Sequence, residues 1–140
     1  MRQPLAKMEA GMREQDVEDW LRAYGTAWTD GDPDKAAALF TVAAEYHETP
    51  FSDPLTGRDQ IRQYWQEGAA DAQEDVRFSA QVWSVAGNTA IAGWQAAFKR
   101  KASGSFVELD GVFRLVFFRS RNGVTCSRLA EWWHRRQDEN

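Results

Sequence analysis

Apolar residues recur at helical spacing in the first part of the chain and at strand spacing in the second. Val17, Trp20, Leu21, Tyr24 and Trp28 fall on one stripe of a helix. Asp16 is placed to cap that helix and Gly31 to close it. Asp32-Pro33 then has the form of a second helix start, with Asp as N-cap and Pro in the first turn; Ala37, Ala38, Leu39 and Phe40 supply its packing. Residues 43–49 read as a short strand. Residues 50–57 read as a loop, broken by Pro50, Pro54 and Gly57. Thr56 and Asp59 have capping-box spacing for a third helix, which carries Ile61, Tyr64 and Trp65 and frays near Gly68.

Beyond that point the period becomes two. Val76, Phe78, Ala80 and Val82 point one way, and Arg77, Ser79, Gln81 and Trp83 the other. Gly87-Asn88 marks a hairpin turn, and residues 90–99 form the returning strand. The turn at 101–104 leads into a strand over 105–119, and Arg121-Asn122-Gly123 leads into the last strand, over 124–136. Helices gathered ahead of an antiparallel meander indicate the α+β class. The expected organisation is a tail over residues 1–15, one domain over 16–137 and a short tail over 138–140. Residues 112–118 are apolar on both strand faces. One face can pack on the helices, and the other is expected to meet a second copy of the chain in a homodimer through the sheet.

Composition narrows the function classes. A chain of 140 residues fits one domain, and a formal net charge of −4 argues against nucleic acid as a partner. No stretch is long and apolar enough to span a membrane, and the first residues lack the apolar run of a signal peptide. The single cysteine, Cys126, excludes an internal disulfide and fits the cytoplasm; its apolar strand marks it as an inert buried thiol. Seven tryptophans are many for this length and point to a pocket lining, a subunit interface or a heavily aromatic core. No metal site is expected: His47 alternates away from Tyr46, and His134 away from Glu131. No phosphate-binding loop, dinucleotide fingerprint or nucleophile elbow is present, so no cofactor is expected.

The feature with the most chemical content is Glu131, set among Leu129, Trp132 and Trp133. A carboxylate in apolar surroundings is costly to ionise and requires a hydrogen-bonding partner, a raised pKa or access to water. Two segments around such residues carry a resemblance. The first is Tyr46-His47-Glu48-Thr49-Pro50-Phe51 followed by Gly57-Arg58-Asp59-Gln60-Ile61-Arg62. The second is Gly111-Val112-Phe113, then the glycine turn, then Glu131-Trp132-Trp133. Over residues 17–136 the chain resembles the cone-shaped nuclear transport factor 2-like (cystatin-like) fold. Within that fold it resembles the SnoaL-like group, which includes polyketide cyclases and limonene-epoxide hydrolases.

The resemblance implies that Glu131 activates water or abstracts a proton. It also implies that Tyr46 orients the reacting oxygen, with Glu48 standing where the epoxide hydrolases have an Asn. It implies a cavity lined by Val107, Leu109, Gly111 and Phe113, with Trp28, Trp65 and Trp94 as further walls. Strand alternation adds Trp133 on the face of Glu131. The Arg and Asp that partner the base in the epoxide hydrolases have no counterpart, because Ala92-Gly93-Trp94 occupies their place. Two classes of function remain open. One is a cofactor-independent cyclase, isomerase, dehydratase or hydrolase acting on a small hydrophobic oxygenated molecule. The other is a non-catalytic ligand-binding or dimer-forming module.

Overall fold

The computed structural model describes residues 11–137. Helix α1 (Glu14–Thr29) and the short α2 (Pro33–Ala37) are followed by strand β1 (Phe40–His47) and the two-residue β2 (Leu55–Thr56). Helix α3 (Arg58–Trp65) continues into a π-helical turn, Gln66–Ala70. Four long strands complete the domain: β3 (Gln73–Ala86), β4 (Thr89–Arg100), β5 (Phe106–Ser120) and β6 (Gly123–Gln137).

All six strands form one sheet in the order β2-β1-β6-β5-β4-β3. The predicted meander of β3 to β6 is present, each pair antiparallel. The short first strand joins it differently. β1 lies parallel to β6, with Tyr46 opposite Leu129 and His47 opposite Ala130. A parallel pair needs a long crossover, and here the whole of α3 and the meander supplies it. Register shifts at Glu74/Arg77, Val82/Ser84 and Val116/Phe117 bend the long strands, so the sheet curves around the helices.

Helix α1 lies on the inner face with its apolar stripe buried: Val17, Trp20, Leu21, Tyr24 and Trp28 are all under 8% exposed. Its closest approach is to β3. A Cβ placed on Gly25 would stand 2.6 Å from the Phe78 ring, so only glycine lets the helix sit this deep. The start of α1 departs from expectation. The N-cap is Arg13, not Asp16; Asp16 is at the third helical position and accepts a bond from the Arg13 backbone N–H at 3.1 Å. Its carboxylate also receives Arg119 from the end of β5 at 2.7 Å. Hydrogen bonds from Arg13 and Arg119 hold its pKa well below the usual range, although its partial burial opposes them. Of the tail expected over residues 1–15, residues 1–10 lie outside the described residues, as do 138–140. Met12 is buried and its N–H donates to the Gly87 carbonyl at 2.8 Å. Asp32 does cap α2, accepting from the Lys35 N–H. The Thr56–Asp59 capping box is absent; Gly57 is the N-cap of α3, and the Thr56 N–H donates to the Gln60 side chain.

Four of the tryptophans, Trp20, Trp28, Trp65 and Trp94, are buried, whereas Trp83, Trp132 and Trp133 are at least 39% exposed. Cys126 has no exposed surface and its thiol donates to the Arg128 carbonyl at 3.2 Å. Burial pushes that thiol up to about 12. The folded protein is therefore expected to resist iodoacetamide at pH 8 and to gain one adduct by mass spectrometry only after denaturation. Rapid labelling of the native state would place Cys126 in a mobile or open strand.

Candidate functional site

Between the inner face of the sheet and helices α1 and α3 lies a cavity of about 220 Å³. Tyr46 reaches it from β1, Leu109 from β5, and Glu131 and Trp133 from β6; Trp28, Trp65 and Trp94 wall it, and Glu48 stands at its edge just past the end of β1. The structure thus brings together eight of the eleven residues singled out from the sequence. Val107, Gly111 and Phe113 are the exceptions. Val107 and Phe113 are fully buried behind the lining, with Phe113 stacked on Trp94 at 5.0 Å between ring centres, and the Trp94 indole covers Gly111. The resemblance put them on the cavity face but could not tell lining from the layer beneath it.

Sequence reasoning missed several groups here. Tyr24 and Tyr64 come from helices α1 and α3, whose spacing assigns both to packing positions. Gln73, Phe98, Arg100 and Arg135 border the cavity from strands β3, β4 and β6. The helical positions of the two tyrosines carried the signal, since a tyrosine in an apolar stripe brings a hydroxyl that must find a partner. The Tyr24 and Tyr46 hydroxyls share a hydrogen bond at 3.1 Å, and Tyr64 donates to Glu48 Oε2 at 2.5 Å. Burial first, and then the nearby Glu131 charge, raises all three phenols above their ordinary range. They therefore remain protonated through neutral pH.

Glu131 is 7% exposed in the middle of β6, opposite Phe113 on β5. Burial raises its carboxyl to about 8, the charge of Glu48 adds to the effect, and the Trp133 side chain opposes it. A carboxyl poised near neutrality in an apolar cavity can exchange a proton with a bound molecule within the working pH range of most enzymes. His47 faces away from the cavity and bonds Glu45 at 2.9 Å, in keeping with its alternation. Asp110 and His134 likewise lie on the outer face of the sheet, in an open depression of about 550 Å³ that includes Arg77 and Glu108. A larger depression, about 730 Å³, lies between α1 and β3. Among the described residues, neither of these larger spaces holds a buried ionisable group, whereas the smaller inner cavity holds Glu131. Among the described residues no group of three His, Cys, Asp or Glu side chains could hold a metal ion. No helix among them is long and apolar enough to cross a membrane.

Comparison with solved structures gives the same architecture at low identity. A nuclear transport factor 2-like superfamily protein from Salmonella enterica serovar Typhimurium LT2 superposes with a TM-score of 0.71 at 16% identity, over 85% of this chain and 89% of that one. Hexachlorocyclohexane dehydrochlorinase LinA-type3 from Novosphingobium barchaimii LL02 gives 0.73 at 10% identity, over 97% and 92%. A ketosteroid isomerase-like protein from Erwinia carotovora atroseptica SCRI1043 gives 0.66 at 16% identity, over 84% and 93%. At such identities the likeness establishes the fold alone: an α+β, nuclear transport factor 2-like fold. The comparison with curated proteins returns no match. The profile of the SnoaL-like domain matches residues 17–125, which ends six residues before Glu131. With most of the chain matched and the fold in agreement, this protein belongs to the SnoaL-like domain family.

Proposed function

We propose that the inner cavity binds a small, mostly apolar, oxygenated molecule and that Glu131 acts on it as a general base without a cofactor. The reaction is of the isomerase, cyclase, dehydratase or hydrolase type. The observation that carries this reading is the burial of Glu131 against a cavity ringed by three phenols and Glu48, with its pKa lifted to about 8. Glu131 takes a proton from water or from a carbon next to a carbonyl, Tyr46 orients the reacting oxygen, and Glu48, held by Tyr64, orients water at the mouth. The dehydrochlorinase and isomerase-like proteins of the same fold make cofactor-independent proton chemistry a reasonable expectation for such a cavity.

The test is deuterium uptake at the α-carbons of the bicyclic ketone 2-tetralone, followed by proton NMR in D2O. The protein-dependent exchange rate is expected to rise about tenfold per pH unit below pH 8 and to level off above it, as the base ionises. Replacing Glu131 with Gln is expected to lower that rate roughly 100- to 10,000-fold. Exchange that survives the substitution shows that another group is the base.

A second reading, a binding module without catalysis, is favoured by Ala92-Gly93-Trp94. No ion pair partners Glu131 from β4, and Trp94 fills space that a charged pair would need. The homodimer through the sheet belongs to the proposal too. Its support is the exposure of Trp83 (61%) and Trp132 (46%) on the outer face, where Arg114 stacks on Trp132 at 5.4 Å. A cytoplasmic setting, read from the lone cysteine, is part of the same reading.

A further inference from the structure

The inner cavity carries opposite charge at its two ends. Along the inner face of β6, Glu131, Trp133 and Arg135 follow one another at the strand period of two, and all three border the cavity. Exposure rises in that order, from 7% at Glu131 to 39% at Trp133, and Arg135 is exposed. One side of the cavity thus reaches solvent toward the end of β6. Strand β1 stops with His47 opposite Ala130, which leaves Glu48 beside Glu131 at the acidic end.

The other end holds two guanidinium groups. Arg135 stands beyond Glu131 by about 13 Å of strand. Arg100, half-buried at the end of β4, reaches across β5 and donates its Nε–H to Gln137 Oε1 at 3.4 Å. Gln137 follows Arg135 on the same face of β6, so the two arginines converge. The Phe98 ring lies under the Arg100 guanidinium, 5.7 Å from ring centre to carbon, and helps to fix it. Arg136, the outward neighbour of Arg135, pairs with Glu108. Among the described residues neither Arg100 nor Arg135 forms an ion pair. Nor does either offset the raised Glu131 carboxyl, on which the acting charge is that of Glu48. A guanidinium fork matches the two oxygens of a carboxylate, and Arg100 keeps its terminal N–H groups for one. An anionic group is repelled at the Glu131–Glu48 end and attracted at the arginine end.

We propose that Arg100 and Arg135 form an anion subsite of the inner cavity, so that its ligands are apolar carboxylates bound with the carboxylate on the arginines and the reacting carbon toward Glu131. The placing of the reacting carbon rests on the reading of Glu131 as the base, whereas the anion subsite does not. The charges at the two ends set the direction in which the ligand lies, and the apolar walls between them take its body. A two-ring body with the carboxylate at one end and the reacting carbon at the other matches the spacing.

Calorimetric titration at pH 7 and low salt provides the test, with 2-tetralone-6-carboxylate compared with uncharged 2-tetralone. The wild-type protein is expected to bind the carboxylate about tenfold more tightly or better. That preference is expected to fall about tenfold in the Arg100→Gln, Arg135→Gln double variant. It is expected to stay unchanged in Arg136→Gln, which removes a charge from the outer face of the same strand. Equal affinity for the two compounds overturns the proposal, as does failure of the carboxylate to bind. A preference that survives in the folded double variant also overturns it. If that variant does not fold, Arg135→Gln decides, because Arg135 is exposed. A fall of about threefold there supports the subsite, and an unchanged preference overturns it. Equal losses in Arg135→Gln and Arg136→Gln mean attraction by surface charge alone and overturn it too. Repeating the titration in Glu131→Gln separates the two roles. A preference that persists there supports the subsite and one that vanishes overturns it, whereas deuterium uptake undiminished by the same substitution counts against the base alone.

Discussion

Stability of the wild-type protein is expected to fall by about 1.4 kcal/mol per pH unit between roughly pH 5 and 8, the slope of one proton held by the native state alone. The sign follows from Glu131. Its folded pKa, about 8, lies above the ordinary value of 4.5, so the folded chain keeps a proton that the unfolded chain has already released. The stabilisation is fully present below pH 4.5 and lost as the pH rises through 8. Over that window the loss is on the order of 4 kcal/mol, a large share of a small domain's stability. Glu131→Gln keeps the shape of the neutral acid and cannot ionise. Urea denaturation at pH 5, 6, 7 and 8 is expected to give a nearly flat profile for the variant, which becomes the more stable of the two at pH 8. Parallel profiles for the two proteins would mean that Glu131 ionises as easily in the fold as out of it. Asp16 does not confuse the reading, because its lowered pKa shifts stability only as the pH falls below about 3.8.

The second large effect is expected at Gly111. Its replacement by Ala places a methyl 2.5 Å from the Trp132 carbonyl oxygen and 2.7 Å from Trp94 Cε2. The backbone oxygen cannot retreat without disturbing the β5–β6 ladder, and the indole can move only into the cavity. Overpacking of this kind costs typically 1–3 kcal/mol. Gly111→Ala is expected to lose about that much in urea denaturation and to weaken binding of any molecule lodged against Trp94. Gly68 is the matched control. It borders the same cavity, yet an added Cβ there meets nothing within 4 Å. Gly68→Ala is expected to be neutral or to gain up to about 1 kcal/mol by restricting the unfolded chain. Equal costs at the two positions would show that the Trp94–Gly111 contact is loose in solution.

Much of this architecture could be read from residue order. The stripe on α1, the Asp32 cap and the alternation from Val76 onward each follow from local spacing, which is where helix and strand periods act. Glu131 was legible for the same reason: one carboxylate among bulky apolar neighbours stands out in a strand. The parallel seating of β1 on β6 was not legible, because it joins segments some eighty residues apart and no local pattern records which edge a short strand will take. Nor was the depth of a residue along its strand. Val107 and Phe113 are both fully buried, but the distance of Phe113 from the cavity depends on where Tyr24 and Trp94 lie over it. The phenols on α1 and α3 were hidden by a different ambiguity, since a tyrosine fills a core stripe as readily as it points a hydroxyl into a cleft.

The placement of β6 has a consequence for assembly. Of the six strands it is the last in chain order, yet it lies between β5 and β1. The β1–β2 ribbon therefore has no permanent neighbour until synthesis has passed residue 130, and closing so large a loop carries an entropy cost before any pairing rewards it. Nascent chains must shelter an exposed edge through most of translation. The strand that ends that exposure is the one bearing Glu131, so completion of the sheet and completion of the inner cavity are a single event.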